Sequence, residues 1–399
     1  MSSYSQITLE VTRRLSKAEK KEYGFFVTPP SIIGKLITQI QSLYSSRSFT
    51  NILEPSCGTC EFLSAVSKIY LDSHVDGIEW NKTVYDSING YESDRIHLIH
   101  EDFLKYNKPE SYDLVIGNPP YFVFQKEQVP MEYREYITGR PNIFTVFILH
   151  SLAQLKPGGL LAFVLPKSFL NSAYYEEIRI FIKKTCIIKD LLDFEECNDF
   201  LETQQATFGL IVEKKGNNED AVVESNFCSK IGDNFIFVTN PDSFSRLIKN
   251  TTTLKALGYS VKTGSIVWNE KKKNLTNDST KTLLIYNSNV VDNKIEIKTF
   301  SNDEKKQFID LPGLSRNSLV VNRGNGNSVY KLSYAFVDSS REYLVENHLN
   351  VITHPTNTDF SGIIKSFQDP RTTEFLRTII GNGALSKTDL ETMLPIYLD

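Results

Sequence analysis

Tyr112-Asp113-Leu114-Val115-Ile116-Gly117-Asn118-Pro119-Pro120-Tyr121 decides how this 399-residue chain is read. The first six residues are apolar and β-branched, the composition of a buried strand. Two prolines cannot continue a hydrogen-bonded ladder, so the chain must leave the sheet at Asn118 as an extended turn. An amide, a proline carbonyl and an aromatic ring are thereby set at the carboxyl end of a strand, where open α/β sheets bind ligands. The amide oxygen and the Pro119 carbonyl are both acceptors and together can grip a planar amino group with its two N–H donors. The Tyr121 ring can stack on the plane that carries the group. A proline-rich turn with a capping Asn is the structural alternative for the same residues.

Upstream, Thr50 to Leu63 repeats the pattern. A short strand ends at Glu54, a tight turn runs through Pro55 and Gly58, and Phe62, Leu63 and Val66 begin a helix. Gly58 lets backbone approach a ligand closely. Cys57-x-x-Cys60 has no second Cys/His pair at zinc-like spacing, so packing is expected and no metal. Val75 to Trp80 reads as a second strand ending in Glu79, an acid able to accept from both hydroxyls of a ribose. A plain surface acid is the alternative. A third strand, Ile96–His100, runs into Asp102 and Phe103, an acceptor for an adenine amino group and a ring to pack on it. Before all of these, Tyr23 to Thr28 forms a short aromatic loop ahead of Pro29-Pro30. Ile32, Ile33, Leu36, Ile37 and Ile40 follow it at helical spacing.

Downstream, a helix over Ile143–Leu155 is stopped by Lys156-Pro157-Gly158-Gly159. Strands Leu160–Pro166, Ile187–Leu192 and Thr207–Glu213 follow, with a helix near Tyr174–Lys184. This alternation predicts a doubly wound sheet. Phe200 lies in a run too polar for core and reads as an exposed ring near the site. A polar break at 216–220 marks a boundary, and the rest carries strand-like runs separated by Asn-rich turns.

Composition sets wider bounds. Hydrophobic residues make up 40% and charged residues 23%, an ordinary globular balance. Five sparse cysteines point to a reducing compartment rather than a disulfide scaffold. No run approaches the about 18 apolar residues of a membrane span, and the first 22 residues lack a signal-peptide core. The net charge is −4, yet residues 251–330 hold 12 Lys/Arg against 7 Asp/Glu. A basic stretch on an acidic chain points to a polyanion, or else to a solvated surface.

With these motifs in this order the chain resembles gamma-class DNA adenine-N6 methyltransferases. The family's amino-terminal motif resembles residues 23–30, its methyl-donor motif resembles residues 53–63, and its catalytic motif resembles Asn118-Pro119-Pro120-Tyr121. Thr263 to Asn269 and Gly383 to Leu390 resemble pieces of its recognition domains. The resemblance implies an α/β fold, a doubly wound, mostly parallel seven-stranded methyltransferase sheet followed by a mixed α+β target-recognition domain. The implied domains are a lead at 1–20, a catalytic domain at 21–215 and a DNA-binding domain at 216–399. S-adenosyl-L-methionine would be contacted by Tyr23, Thr28, Glu54, Pro55, Gly58, Glu79, Trp80, Asp102, Phe103 and Asn118. A flipped-out adenine would be held by Asn118 and Pro119 between Tyr121 and Phe200. Double-stranded DNA would meet Trp268, Lys271, Lys272, Lys273, Arg316 and Arg323.

The resemblance further implies a cytoplasmic or nucleoid-associated protein. It favours a monomer and makes a cognate restriction endonuclease a partner to look for. The family has Gly where this chain has Cys60, and a β-carbon there would narrow the room beside the methionine tail. Asn-Pro-Pro-Tyr also serves methyltransferases of RNA base amines and of protein glutamine amides, and a non-catalytic DNA-recognition protein could keep the fold. The long C-terminal half favours DNA.

Overall fold

The computed structural model describes residues 4–194, 206–216, 224–324, 330–380 and 383–398. Seven strands form its main sheet: β1 (Asn51–Glu54), β2 (His74–Glu79), β3 (Ile96–His100), β4 (Tyr112–Gly117), β5 (Leu155–Pro166), β6 (Cys186–Asp193) and β7 (Thr207–Lys214). Their order is β3-β2-β1-β4-β5-β7-β6. β1 to β5 pair in parallel, and β7 runs antiparallel to both β5 and β6. The sheet is therefore mostly parallel and doubly wound, with one reversed strand. Chain order changes direction between β1 and β4, whose register pairs Ile52 with Leu114 and Leu53 with Val115. Loops leaving these two strands diverge there and open a crevice.

Helix α1 (Gln6–Arg14) and helix α2 (Lys17–Tyr23) precede α3 (Pro30–Leu43). α3 buries Ile32, Ile33, Leu36, Ile37 and Ile40, the five positions that its spacing picks out. α4 (Glu61–Ile69) follows β1 and lies close on β2. A β-carbon at Gly77 of β2 would come 2.6 Å from Leu63 Cδ1. α5 (Lys82–Ser87) follows β2, α6 (Ile143–Gln154) precedes β5 and α7 (Glu176–Thr185) precedes β6. α6 is apolar nearly all round and correspondingly buried.

The lead at 1–20 is not a separate element. The Ser5 side chain caps α1 through the Thr8 amide, and Ser16 with Glu19 forms a capping box on α2. Val11 and Leu15 pack against Val84 of α5. A short apolar stripe on a polar helix was enough to dock it.

The chain divides into two compact units, one up to Ser229 plus Phe235–Thr239, the other Lys230–Asn234 plus Asn240–Asp399. The junction thus falls at 230–239, later than the polar break at 216. Phe235 and Phe237 belong to the apolar core of the first unit. The fully buried Arg179 of α7 donates to the Phe235 carbonyl at 2.7 Å and to the Phe169 carbonyl at 2.8 Å.

The second unit is mixed α+β. Ser260–Thr263, Leu349–Thr353, Ser318–Asn322 and Tyr334–Val337 form one antiparallel sheet. Leu275–Thr276, Phe308–Ile309, Thr282–Ile285 and Tyr343–Val345 form another, with one parallel pair. Gly264 lets two segments cross, since a β-carbon there would lie 2.1 Å from the Glu346 carbonyl oxygen.

Candidate active site

A cavity of about 300 Å³ opens in the first unit, where the loops after β1, β2, β3 and β4 converge. Tyr23, Thr28, Glu54, Pro55, Gly58, Glu79, Trp80, Asp102, Phe103 and Asn118 all line it. Five chain segments far apart in sequence thus meet, four of them brought together by the strand order and the fifth supplied by the loop between α2 and α3. Pro119 is buried and Tyr121 half-buried, and neither is among the lining residues, whereas Pro120 is. Phe200 lies outside the described residues.

Asn118 is held from two sides. Its Nδ2 donates to the Phe26 carbonyl at 3.3 Å, and its Oδ1 accepts from the Tyr121 hydroxyl at 2.5 Å. That hydroxyl also lies 2.7 Å from the Val164 carbonyl at the end of β5. One proton cannot serve both acceptors at once, so it can pass to Val164 when another donor reaches Asn118. The Tyr121 ring meets Phe144 edge-on at 5.8 Å. Gly24 closes the opposite side with φ +61°, and a β-carbon there would press on Pro120 Cβ at 2.8 Å.

The acids have distinct duties. Glu79 Oε2 accepts from the Gly58 amide at 2.9 Å and Oε1 from the Asn81 amide at 2.6 Å, tying the β1 loop to the end of β2. Burial pushes the Glu79 carboxyl up to about 7, against the pull of these amide bonds. Glu54 is buried and accepts from the Leu63 amide at 2.8 Å, inside the first turn of α4. Burial holds its carboxyl well above the usual range, with the negative neighbours Glu79 and Glu61 adding to the effect. Asp102 Oδ1 accepts from the Leu104 amide at 3.1 Å. Phe103 is almost wholly buried, against Phe147 at 4.9 Å and His150 at 4.8 Å, so its ring forms wall rather than an open stacking face. Trp80 is 57% exposed and meets Tyr23 edge-on at 5.6 Å.

Cys60 departs from the expectation that its β-carbon crowds the cavity. Its backbone is left-handed, φ +65°, which is the physical reason a glycine suits the position. The side chain is fully buried in the apolar core with Cys57, Leu63 and Val66 and does not line the cavity. Glu61, Thr59, Phe26 and Asn81 line the cavity without having been singled out. Thr59 and Glu61 stand inside the 53–63 motif and Phe26 inside 23–30; what those stretches do not show is their partners, Thr8 and Ser5 for the first two and Asn118 for the third, which lie far along the chain.

The basic residues of the second unit differ among themselves. Lys271, Lys273 and Arg316 are exposed. Lys272 pairs with Glu304 at 2.6 Å, and its ammonium lies 6.0 Å from the Trp268 ring centre. Trp268 is partly buried against Ile266 and Tyr286. Arg323 is half-buried and donates to the Asn347 carbonyl at 2.9 Å, a structural duty. Among the described residues no helix is long and apolar enough to cross a membrane.

Residues 18–200 match the model of the Eco57I restriction-modification methylase family. The chain is 27% identical over 407 residues to the Type II methyltransferase M.CvrRI of Paramecium bursaria Chlorella virus XZ-6E, covering 100% of both. It is 26% identical to the modification methylase CviBIII of Paramecium bursaria Chlorella virus NC1A, covering 99% of both. It is also 32% identical over 126 residues to a tRNA1(Val) (adenine(37)-N6)-methyltransferase of Aliivibrio fischeri, covering 30% of this chain and 53% of that one. The similarity to the Eco57I restriction-modification methylase family spans residues 18–200, the part of the chain that holds every described residue lining the cavity.

Proposed function

We propose that this protein is a site-specific DNA methyltransferase that moves a methyl group from S-adenosylmethionine to the N6 amino group of an adenine flipped out of duplex DNA. The observation that carries the reading is that Asn118 opens into the same cavity as Glu54, Gly58, Glu79 and Asp102. The lining suits this cofactor. It has an acid at the end of β2 for ribose hydroxyls, an acid at the end of β3 for an adenine amino group, and a left-handed glycine at the β1 turn. S-adenosylmethionine supplies an electrophilic methyl on a positively charged sulfur.

The chain's own residues do the rest. A target base cannot react from within the duplex, and unstacking it costs a few kcal/mol. Stacking on Tyr121 returns about 1–3 kcal/mol. Asn118 Oδ1 and the Pro119 carbonyl accept hydrogen bonds from the two amino N–H groups and aim the nitrogen lone pair. The Tyr121 hydroxyl turns to Val164 as the base arrives. Catalysis is then positioning in a fixed dipolar site. The aligned length of the modification methylases includes the second unit, whereas the tRNA enzyme aligns over 126 residues only. This favours DNA over RNA. A monomer, with a restriction endonuclease as cognate partner, completes the proposal.

The test is transfer of labelled methyl to duplex DNA, RNA and protein offered in parallel, followed by nucleoside analysis. N6-methyladenine in DNA is expected. N4-methylcytosine, or label on RNA or protein alone, overturns the reading.

A further inference from the structure

We propose that Glu61 is a binding residue for the α-ammonium group of the methionine tail, and that helix α1 is the part of the site that holds it in place. This rests on the S-adenosylmethionine reading above.

Among the described residues the cavity lining carries Glu54, Glu61, Glu79, Glu101 and Asp102 and contains no Lys, Arg or His. Such a lining suits a cationic ligand, and S-adenosylmethionine carries positive charge at sulfur and at its amino group. The carboxylates are not equivalent. Glu79 ends β2 and Asp102 caps the turn that follows β3, on the nucleoside side of the crevice. Glu54 is buried, directed to the Leu63 amide, and pushed toward its neutral form. Glu61, the first residue of α4, is half-buried and is the acid that the β1 loop presents at the cavity.

Its orientation is fixed from outside the motif. Glu61 Oε1 accepts from the Ser5 amide at 2.9 Å and from the Thr8 hydroxyl at 2.6 Å. The Thr8 hydroxyl is also 2.7 Å from that of Thr59, another lining residue. Both donors engage Oε1, and Oε2 keeps its own acceptor capacity. α1 is itself anchored, by Val11 and Leu15 on Val84, with Phe25 of the cavity wall packed alongside. Glu61 therefore binds, and Thr8 is a positioning residue.

Calorimetry on the full chain tests this with three probes: S-adenosylmethionine, S-adenosylhomocysteine, and 5′-deoxy-5′-methylthioadenosine, which lacks the amino-acid tail. Glu61→Gln should weaken the first two by about tenfold, the worth of one charge-assisted hydrogen bond, and leave the third unchanged. Thr8→Val should show the same pattern more weakly, and Thr8→Ser should restore it. Glu61→Asp, which withdraws the charge by one methylene, should fall between wild type and Glu61→Gln. Equal weakening of all three probes would reduce Glu61 to a prop for the loop and overturn the inference, as would no change in any of them. If the wild-type chain binds none of the three, it is the cofactor reading itself that fails.

Discussion

In the proposed reaction the use of Asn118 depends on how its amide is oriented from both sides. Nδ2 faces the Phe26 carbonyl, so the oxygen is the atom presented to Tyr121 and to an incoming amino group. That constraint came from a loop 92 residues earlier in the chain and could not be read at Asn118. The motif's residue types were legible; the partners that orient them were not. Gly24 belongs to the same device. Gly24→Ala places a β-carbon 2.8 Å from Pro120 Cβ on a left-handed backbone. It should lower stability by about 1–2 kcal/mol and slow methyl transfer, both measurable on one preparation by denaturant melts and turnover. Glu79 gives a pH signature. Its carboxyl sits near 7 in the folded chain against about 4.3 unfolded. The folded state thus holds the proton more tightly, and stability falls as pH rises through that window. Glu79→Gln should flatten this part of the slope in denaturant midpoints of the ligand-free protein. An unchanged slope would assign it to other groups.

At the scale of elements, the strands that carry the site were readable because β1, β2 and β4 are largely buried runs closed by a turn residue or an acid, and β3 is an apolar alternation that runs into one. β1 to β4 end where the sequence places Glu54, Glu79, the approach to Asp102, and Asn118. α1 and α2 were not readable as part of the domain, since few of their residues reach the core and the partner of Val11 and Leu15, Val84, is far along the chain. Arg179 was equally hidden. A lone arginine in a run of isoleucines looks like a surface residue of an amphipathic helix, yet it is wholly buried and holds backbone carbonyls. Arg179→Ala leaves those carbonyls without their donor and should cost about 3 kcal/mol, read from the denaturant midpoint. In the second unit Gly264→Ala drives a β-carbon into the Glu346 carbonyl and should destabilise by about 3 kcal/mol or more. A loss of duplex binding should follow, with cofactor affinity retained.

For the whole molecule, the chain's charge is distributed in keeping with two tasks. The cofactor cavity is lined by acids, and the surplus of Lys/Arg falls in the second unit. DNA affinity of phosphate-contacting lysines and arginines declines with salt by about 0.9 in log–log slope per contact. Replacing Lys271, Lys273 and Arg316 by Ala should therefore reduce the salt slope by up to about 3. Arg323→Ala should act mainly on stability, because its guanidinium already serves the Asn347 carbonyl. If the triple variant keeps the wild-type slope, these residues do not touch phosphate. The central claim concerns Asn118, and one paired measurement reaches it most directly: S-adenosylmethionine affinity and methyl transfer to duplex DNA for Asn118→Ala beside the wild type. Near-normal cofactor affinity with transfer lost by a thousandfold or more, the scale on which fixed acceptors and donors contribute to catalysis, is the predicted result. Near-normal transfer by the variant would contradict it.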